Sequence, residues 1–348
     1  MKKAYFSYMI LVTGGTGLVG AHLLAELSKE DLRIRAIYRR AHKIELVRAV
    51  FEYLPEVNLS LFEKIEWVEA DLRDLPKLTE AFKGVSSVYH CAAMVSFEPD
   101  KYKLLRKVNI EGTANIVNLC VSQKVQKLCY VSSIAALGKE LNPEAAITEN
   151  SPWNAEDDNN VYAITKYGAE MEVWRGSQEG IDVVVVNPGI IIGGGFWKSG
   201  SSGSLFYRMN KGTKYYTTGV TGYVSVSDVV TVMVALMQSD ITNEGFILVA
   251  EHLSFKDFQD KVCEALGVPK PQKEAKKGLL ELAWRLDWLN HKIFEKRRKL
   301  SKQLARTSIR VSKYDNTKII EALKFEFEPL NDAIDRTARW FKKDHSNH

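Results

Sequence analysis

The sequence predicts an α/β fold: a doubly wound parallel sheet followed by a smaller, mostly helical C-terminal domain. Three observations carry this. From residue 9 to about 186, short β-branched runs alternate with helical patterns, as expected of strand–helix units whose sheet is covered on both faces. A glycine-rich turn joins the first run to the first helical pattern. After Asn187-Pro188-Gly189 the composition shifts to Gly, Ser and aromatics over 193–223, then to helical patterns over 253–348, one of them basic and amphipathic, ending near Trp340-Phe341.

The first strand, Met9–Val12, runs into Thr13-Gly14-Gly15-Thr16-Gly17-Leu18-Val19-Gly20 and then the helical Ala21–Leu27. Gly14 permits a sharp turn, Gly17 lets the backbone approach a pyrophosphate, and Gly20 lets the helix pack closely. Free N–H groups at the helix start face the anion. A dinucleotide is therefore expected against Thr13, Gly14, Thr16, Gly17, Leu18 and Val19.

The second strand, Ile34–Tyr38, ends in Arg39-Arg40, where this kind of fold usually offers an acid to the adenosine 2′-hydroxyl. Two guanidinium groups there can grip a 2′-phosphate bidentately, which favours NADP(H); with the arginines read as surface residues, NAD(H) stays open. After the third strand, Ile65–Glu69, Asp71 can accept from the adenine amino group while Leu72 packs on the base, or Asp71 can cap a helix. The fourth strand, Ser87–His90, ends in Cys91-Ala92-Ala93, and Ala92 and Ala93 are small enough for the backbone to pass close to a cofactor. His90 reads as a packed strand residue.

The fifth strand, Lys127–Val131, delivers Ser132 and Ser133 to the carboxyl end of the sheet, where ligands of such sheets bind. Ser133 is expected to hold a substrate carbonyl and Ser132 to be structural; the reverse assignment stays open. Asn109 precedes a helix and either holds site water or braces the strand that carries the serines. Tyr162 and Lys166 stand four apart on a helical pattern, so phenol and ammonium share a face. A cation there favours phenolate and brings a phenol toward proton transfer at neutral pH.

The sixth strand, Asp182–Asn187, runs into Pro188, Gly189 and Ile190, and a seventh, Phe246–Ala250, returns late. These runs carry few charges, as strands buried on both faces do. The expected division is a dinucleotide domain over 1–186, with 224–251 returning to it, and a substrate domain over 187–223 and 252–348.

The chain has 348 residues, 45% of them hydrophobic, and a net charge of +5, which suits a globular protein and argues against nucleic acid. Cys91, Cys120, Cys129 and Cys263 form no C-x-x-C pair and have no nearby His at ligand spacing, so they read as buried thiols with no metal and no disulfide. The start shows neither a signal peptide nor a long apolar span, and a cytoplasmic protein is expected. In 279–306 an apolar and aromatic run precedes Lys and Arg. It reads first as a helix that buries its aromatic side in the small domain, and second as a surface for anionic membranes.

Taken in order, T-G-G-T-G-x-x-G, D-L, H-x-A-A, N-x-x-G-T, Y-V-S-S, Y-x-x-x-K, N-P-G, Tyr223–Val229 and Tyr314-Asp315-Asn316-Thr317-Lys318 resemble the extended short-chain dehydrogenase/reductase superfamily over essentially the whole chain. The chain looks most like its dihydroflavonol reductase and 3β-hydroxysteroid dehydrogenase side. The resemblance implies a Rossmann domain with a nicotinamide cofactor, Tyr162 as acid/base, Lys166 as its electrostatic partner and Ser133 as carbonyl anchor, with Asn109 in the catalytic group. Cofactor contacts carry over to Gly14, Gly17, Asp71, Leu72, Ala92 and Pro188, and by position to Arg39, Ala93, Ser132, Gly189 and Ile190. Arg39 and Leu137 depart from the acid and the Tyr that nucleotide-sugar epimerases commonly carry at those places.

The leading expectation is an NADP(H)-dependent oxidoreductase acting on a carbonyl or secondary alcohol of an apolar small molecule. Met94, Val95, Phe97, Phe196, Trp197, Phe206, Tyr207 and Tyr215 are expected to line the cleft. The alternatives are a nucleotide-sugar epimerase or dehydratase with bound NAD, and an NADP(H)-sensing module without turnover. A homodimer stays open.

Overall fold

The computed structural model describes residues 9–140, 142, 144–198, 203–294, 298 and 300–345. All seven expected strands lie in one parallel sheet. In chain order the first six are β1 (Met9–Thr13), β2 (Arg33–Tyr38), β3 (Glu66–Glu69), β4 (Val85–His90), β5 (Lys127–Val131) and β6 (Asp182–Pro188). Across the sheet the order is Glu244–Leu248, β6, β5, β4, β1, β2, β3. The chain reverses direction across the sheet between β1 and β4, and a crevice for ligands opens at such a point.

Strand alternation sorts the core into two layers. Ile10 and Val12 join one, with the helices Leu18–Leu27 and Val226–Gln238. Met9 and Leu11 join the other, with Ile116 and Val117 of Gly112–Ser122 and Ala169 and Val173 of Val161–Gln178. Leu11, Val12, Val184 and Val186 are fully buried, which is why these runs are nearly free of polar residues.

A second, three-stranded sheet places Val220–Ser225 between Glu251–Ser254 and Ile190–Ile192. It packs with the helices Gly203–Asn210, Phe255–Leu266 and Leu330–His345 into a third core. The stretch 193–223 is thus less loop-like than its composition suggests. One C-terminal helix, Thr317–Leu323, instead covers the outer strand Glu244–Leu248, burying Ile319 in the first core and shielding a sheet edge.

The helix Lys277–Phe294 corrects the expectation of a buried aromatic side. It buries Leu280 and partly Trp284 against Ala305, Leu300 and Ile309, whereas Trp288 and five aliphatic residues are exposed. Among the described residues no helix is long and apolar enough to cross a membrane.

Candidate active site

The glycine turn closes on itself and on β4. Gly14 has φ +69, a left-handed conformation that glycine adopts without strain, and a Cβ there would lie 2.6 Å from the Ala92 nitrogen. A Cβ at Gly20 would stand 2.2 Å from the Gly14 carbonyl oxygen, so Gly20 packs against the turn itself. Gly17 begins the helix Leu18–Leu27 with no side-chain cap and no acid in its first turn. Its N–H groups are left to an anion, and the turn fits a dinucleotide's pyrophosphate.

At the end of β2, the Arg39 guanidinium comes within 3.7 Å of Asp71. Lys43, which sequence reasoning missed, has its ammonium pushed down by burial and by nearby Arg40 and Arg39. Three cations therefore share this corner, and the detectable signal was a lysine four residues past Arg39. Asp71 accepts hydrogen bonds from the Arg73 backbone and guanidinium at 2.8–3.0 Å, which hold its carboxyl at about 2. The helix-cap reading belongs to Asp74, which accepts from the Lys77 backbone N–H. Leu72 corrects another expectation: its side chain is turned into the second core, packed so closely that a Cβ at Gly112 would lie 2.9 Å from it.

The carboxyl ends of β4 and β5 meet the helix Val161–Gln178. The Tyr162 phenol lies beside the Ser133 side chain, and the Phe97 ring stands edge-on to the phenol at 5.4 Å. Burial pushes Tyr162 up to about 12, with Ser133 pulling it part of the way back. The expectation that Lys166 lowers the phenol is therefore corrected. Lys166 Nζ instead donates to the Tyr130 hydroxyl and the Val131 carbonyl, both at 2.8 Å. Burial brings its ammonium down to about 7 against the opposing pull of Glu170 and Cys91.

Behind Lys166 runs a buried polar chain that sequence reasoning did not assemble. Tyr130 stands next to Thr113 and tilts against the His90 ring at 5.3 Å, Thr113 meets His90 Nε2 at 2.9 Å, and His90 Nδ1 meets the Thr13 hydroxyl at 2.6 Å. Thr13 in turn accepts from the Ala92 backbone N–H at 3.3 Å, under the glycine turn. His90 is fully buried, and burial drops it to about 3. It is packed as expected, with both ring nitrogens engaged.

Ser132 donates to the buried carboxylate of Glu170 at 2.5 Å. Glu170 also accepts from Asn187 at 2.9 Å and from the Trp174 indole at 3.2 Å. One carboxylate thus ties β5, β6 and the Tyr162 helix together, and it is what holds the Ser132 hydroxyl away from the cleft. Its signal was an acid four residues past Lys166, on the inward side of the helix. Ser133 keeps its hydroxyl at the cleft, accepting from the Ala135 N–H at 3.1 Å.

Asn109 does not brace the serine strand. Its side chain pairs with both backbone groups of Met94 at 2.7 and 3.0 Å and donates to Thr165 at 3.2 Å, fixing the segment after β4 to the Tyr162 helix. Pro188, Gly189 and Ile190 form the joint between the two sheets: Gly189 N–H donates to Leu248 at 3.0 Å, and Ile190 pairs with Tyr223. Ala93 is exposed beside half-buried Ala92.

The expected aromatic lining is largely corrected. Phe196 belongs to the first core, and Trp197 and Phe206 to the third, where Tyr207 packs against them. Lys211 lies over the Tyr207 ring at 4.6 Å. Composition could not separate these core aromatics from cleft ones. Val95 and Phe97 remain exposed, at 55% and 37%, and Met94 half-buried.

Residues 10–249 match the family model described as NAD dependent epimerase/dehydratase family. The chain is 28% identical over 292 residues to sterol demethylase protein B of Methylococcus capsulatus, covering 82% of this chain and 84% of that one. It is 26% identical to a putative dihydroflavonol 4-reductase of Synechocystis, over 95% of this chain and 94% of the relative. Among solved structures, the UDP-glucose 4-epimerase of Thermotoga maritima with UDP-glucose superposes with a TM-score of 0.73 at 19% identity, covering 97% and 99% of the two chains. At that identity the likeness is one of fold.

Proposed function

The chain belongs to the NAD dependent epimerase/dehydratase family, and on that premise we propose that it is an NADP(H)-dependent oxidoreductase. Its substrate is a mainly apolar small molecule carrying a carbonyl or a secondary alcohol. The chain is an enzyme of the extended short-chain dehydrogenase/reductase type, a family that binds NAD(P). The observation that carries the finer reading is the Tyr162 phenol, set beside Ser133 and flanked by the exposed ring of Phe97.

Ser133 holds the substrate oxygen, and Tyr162 gives or takes the proton at that oxygen. An ammonium has three N–H donors. Two of those on Lys166 are fixed by Tyr130 and Val131, so the third is the one available to a ribose hydroxyl. The nicotinamide, when bound, supplies or accepts the hydride. Arg39, Arg40 and Lys43 support a 2′-phosphate and hence NADP(H), with NAD(H) the weaker ligand. Thr13, Thr16, Leu18, Val19, Ala92, Ala93, Pro188, Gly189 and Ile190 complete the proposed cofactor cradle. Apolar substrates agree with the words sterol and dihydroflavonol in the relatives' names.

A second reading, a nucleotide-sugar epimerase or dehydratase, is favoured by one observation: Phe196, Trp197 and Phe206 are core residues, leaving a less aromatic cleft. Turnover of ketones, polycyclic alcohols and nucleotide sugars in one panel with NADP(H) and NAD(H) decides between them. Apolar compounds are expected to react fastest. Tyr162→Phe should lower kcat by about 10²–10⁴-fold while leaving the cofactor dissociation constant unchanged. Selective turnover of a nucleotide sugar with retained NAD would replace the proposal by the second reading.

A further inference from the structure

The helix Lys277–Phe294 carries two apolar stripes, and among the described residues only one is packed. Its inner stripe, Leu280 with Trp284, lies against Ala305. On another side Leu279, Leu282, Leu286, Leu289 and Ile293 recur at spacings of three and four, within about 80° of arc at 3.6 residues per turn. Each of the five is 42–60% exposed. Such a run exceeds the isolated surface leucines that any globular protein shows.

Charge separates the candidate occupants. Residues 273–302 contain ten Lys or Arg against four Asp or Glu, a surplus of six, compared with a net +5 for the whole chain. A second copy laid on this stripe would oppose two like-charged segments. An anionic surface would complement the stripe and its flanks at once. Lys276, Lys277, Arg285 and Lys292 are all exposed. The far end of the helix meets the segment after β4: His291 Nε2 lies 3.3 Å from Asp100, three residues past the Phe97 that packs on Tyr162.

We propose that this helix docks the enzyme on an anionic lipid bilayer, its five aliphatic residues at the headgroup–acyl boundary and the exposed Lys276, Arg285 and Lys292 toward the headgroups. Docked in this way, the enzyme is held beside the lipid in which an apolar substrate partitions. That last step rests on the function proposed above, whereas the docking does not.

The test is flotation of the full chain with vesicles of phosphatidylcholine alone and of phosphatidylcholine mixed with phosphatidylglycerol. The chain should float with the anionic vesicles, at least 10-fold more than with the neutral ones, and high salt should release it. Leu282→Glu combined with Leu286→Glu should abolish flotation while leaving the melting temperature and the turnover of a water-soluble substrate unchanged. A wild type that stays out of both lipid fractions overturns the proposal, as does a double variant that floats as well as wild type. So does a dimer in sedimentation that the double variant splits, which would make the stripe a subunit interface. A chain that floats yet turns over only nucleotide sugars keeps the docking and loses the apolar substrate.

Discussion

The carboxyl end of the sheet and the helix Lys277–Phe294 finish their side chains in opposite ways. At the sheet, buried polar groups are closed on one another: Lys166 donates to Tyr130, Thr113, His90 and Thr13 form one chain beside it, and Glu170 gathers three donors. An unpartnered polar group there would cost about 1–3 kcal/mol, so such a network holds its members in one arrangement. On the helix, five aliphatic residues stay in solvent. The first region is built to fix geometry; the second leaves an apolar stripe uncovered among the described residues.

The sharpest break in the inner region is expected at its cofactor corner. Arg39→Asp should cut the ratio of NADPH to NADH affinity by about 10–100-fold, the worth of one charge-assisted hydrogen bond. Lys43→Ala should act in the same direction and more weakly. Fluorescence titration of both cofactors measures this. An unchanged ratio in Arg39→Asp would mean that the cations around Lys43 are surface charge and that cofactor choice is made elsewhere.

What was legible in the sequence follows the same contrast. The seven strands, the glycine turn and the shared face of Tyr162 and Lys166 are local patterns, and each is where it was expected. The polar chain is not local: Tyr130 and Lys166 stand 36 residues apart and His90 and Thr13 stand 77 apart, so spacing gave no sign that they meet. Leu72 was misplaced because a strand-end leucine can face either the ligand or the core. Phe196, Trp197 and Phe206 were misplaced because an aromatic-rich stretch looks alike whether it lines a cleft or fills a small core. The stripe on Lys277–Phe294 was visible as a period, but a helix with two apolar sides does not declare which of them is covered.

A smaller effect is expected one step deeper, at Tyr130. Removing its hydroxyl in Tyr130→Phe takes an acceptor from the Lys166 ammonium, which burial already holds at about 7. Losing a partner of the charged form lowers that value further, by about one unit if the bond is worth about 1.5 kcal/mol. The activity that depends on the ammonium should then fall off at lower pH in the variant, and kcat/KM at neutral pH should drop by about 5-fold. The pH profile of kcat/KM reports the free enzyme. A uniform loss with the profile unmoved would mean that Tyr130 only fills space.

The smallest expected effect compares this network with a histidine far from it, at the junction of the large sheet and the C-terminal helix. His22 lies on Leu18–Leu27, contacts the Gly194 carbonyl at 3.2 Å and stacks on Trp340 at 5.8 Å. Burial lowers it to about 4, from an ordinary 6.5. Between those values the unfolded chain binds the proton and the folded chain does not. The stabilisation from neutral His22 is therefore present above 6.5 and is lost as pH falls toward 4. Linkage makes the loss about 2 kcal/mol between roughly pH 7 and 5, or a few degrees in Tm. His90, lowered to about 3, acts with the same sign. Asp228 is raised to about 7 by burial and Glu328 and acts with the opposite sign, its protonation adding stability as pH falls. Comparison with His22→Gln isolates the single site, because the amide keeps a donor for Gly194 and does not titrate. The variant should melt below wild type at neutral pH and close that gap by a few degrees near pH 5. A gap that stays constant across the range would mean that His22 titrates alike in both states, and that the packing on Trp340 opens to water.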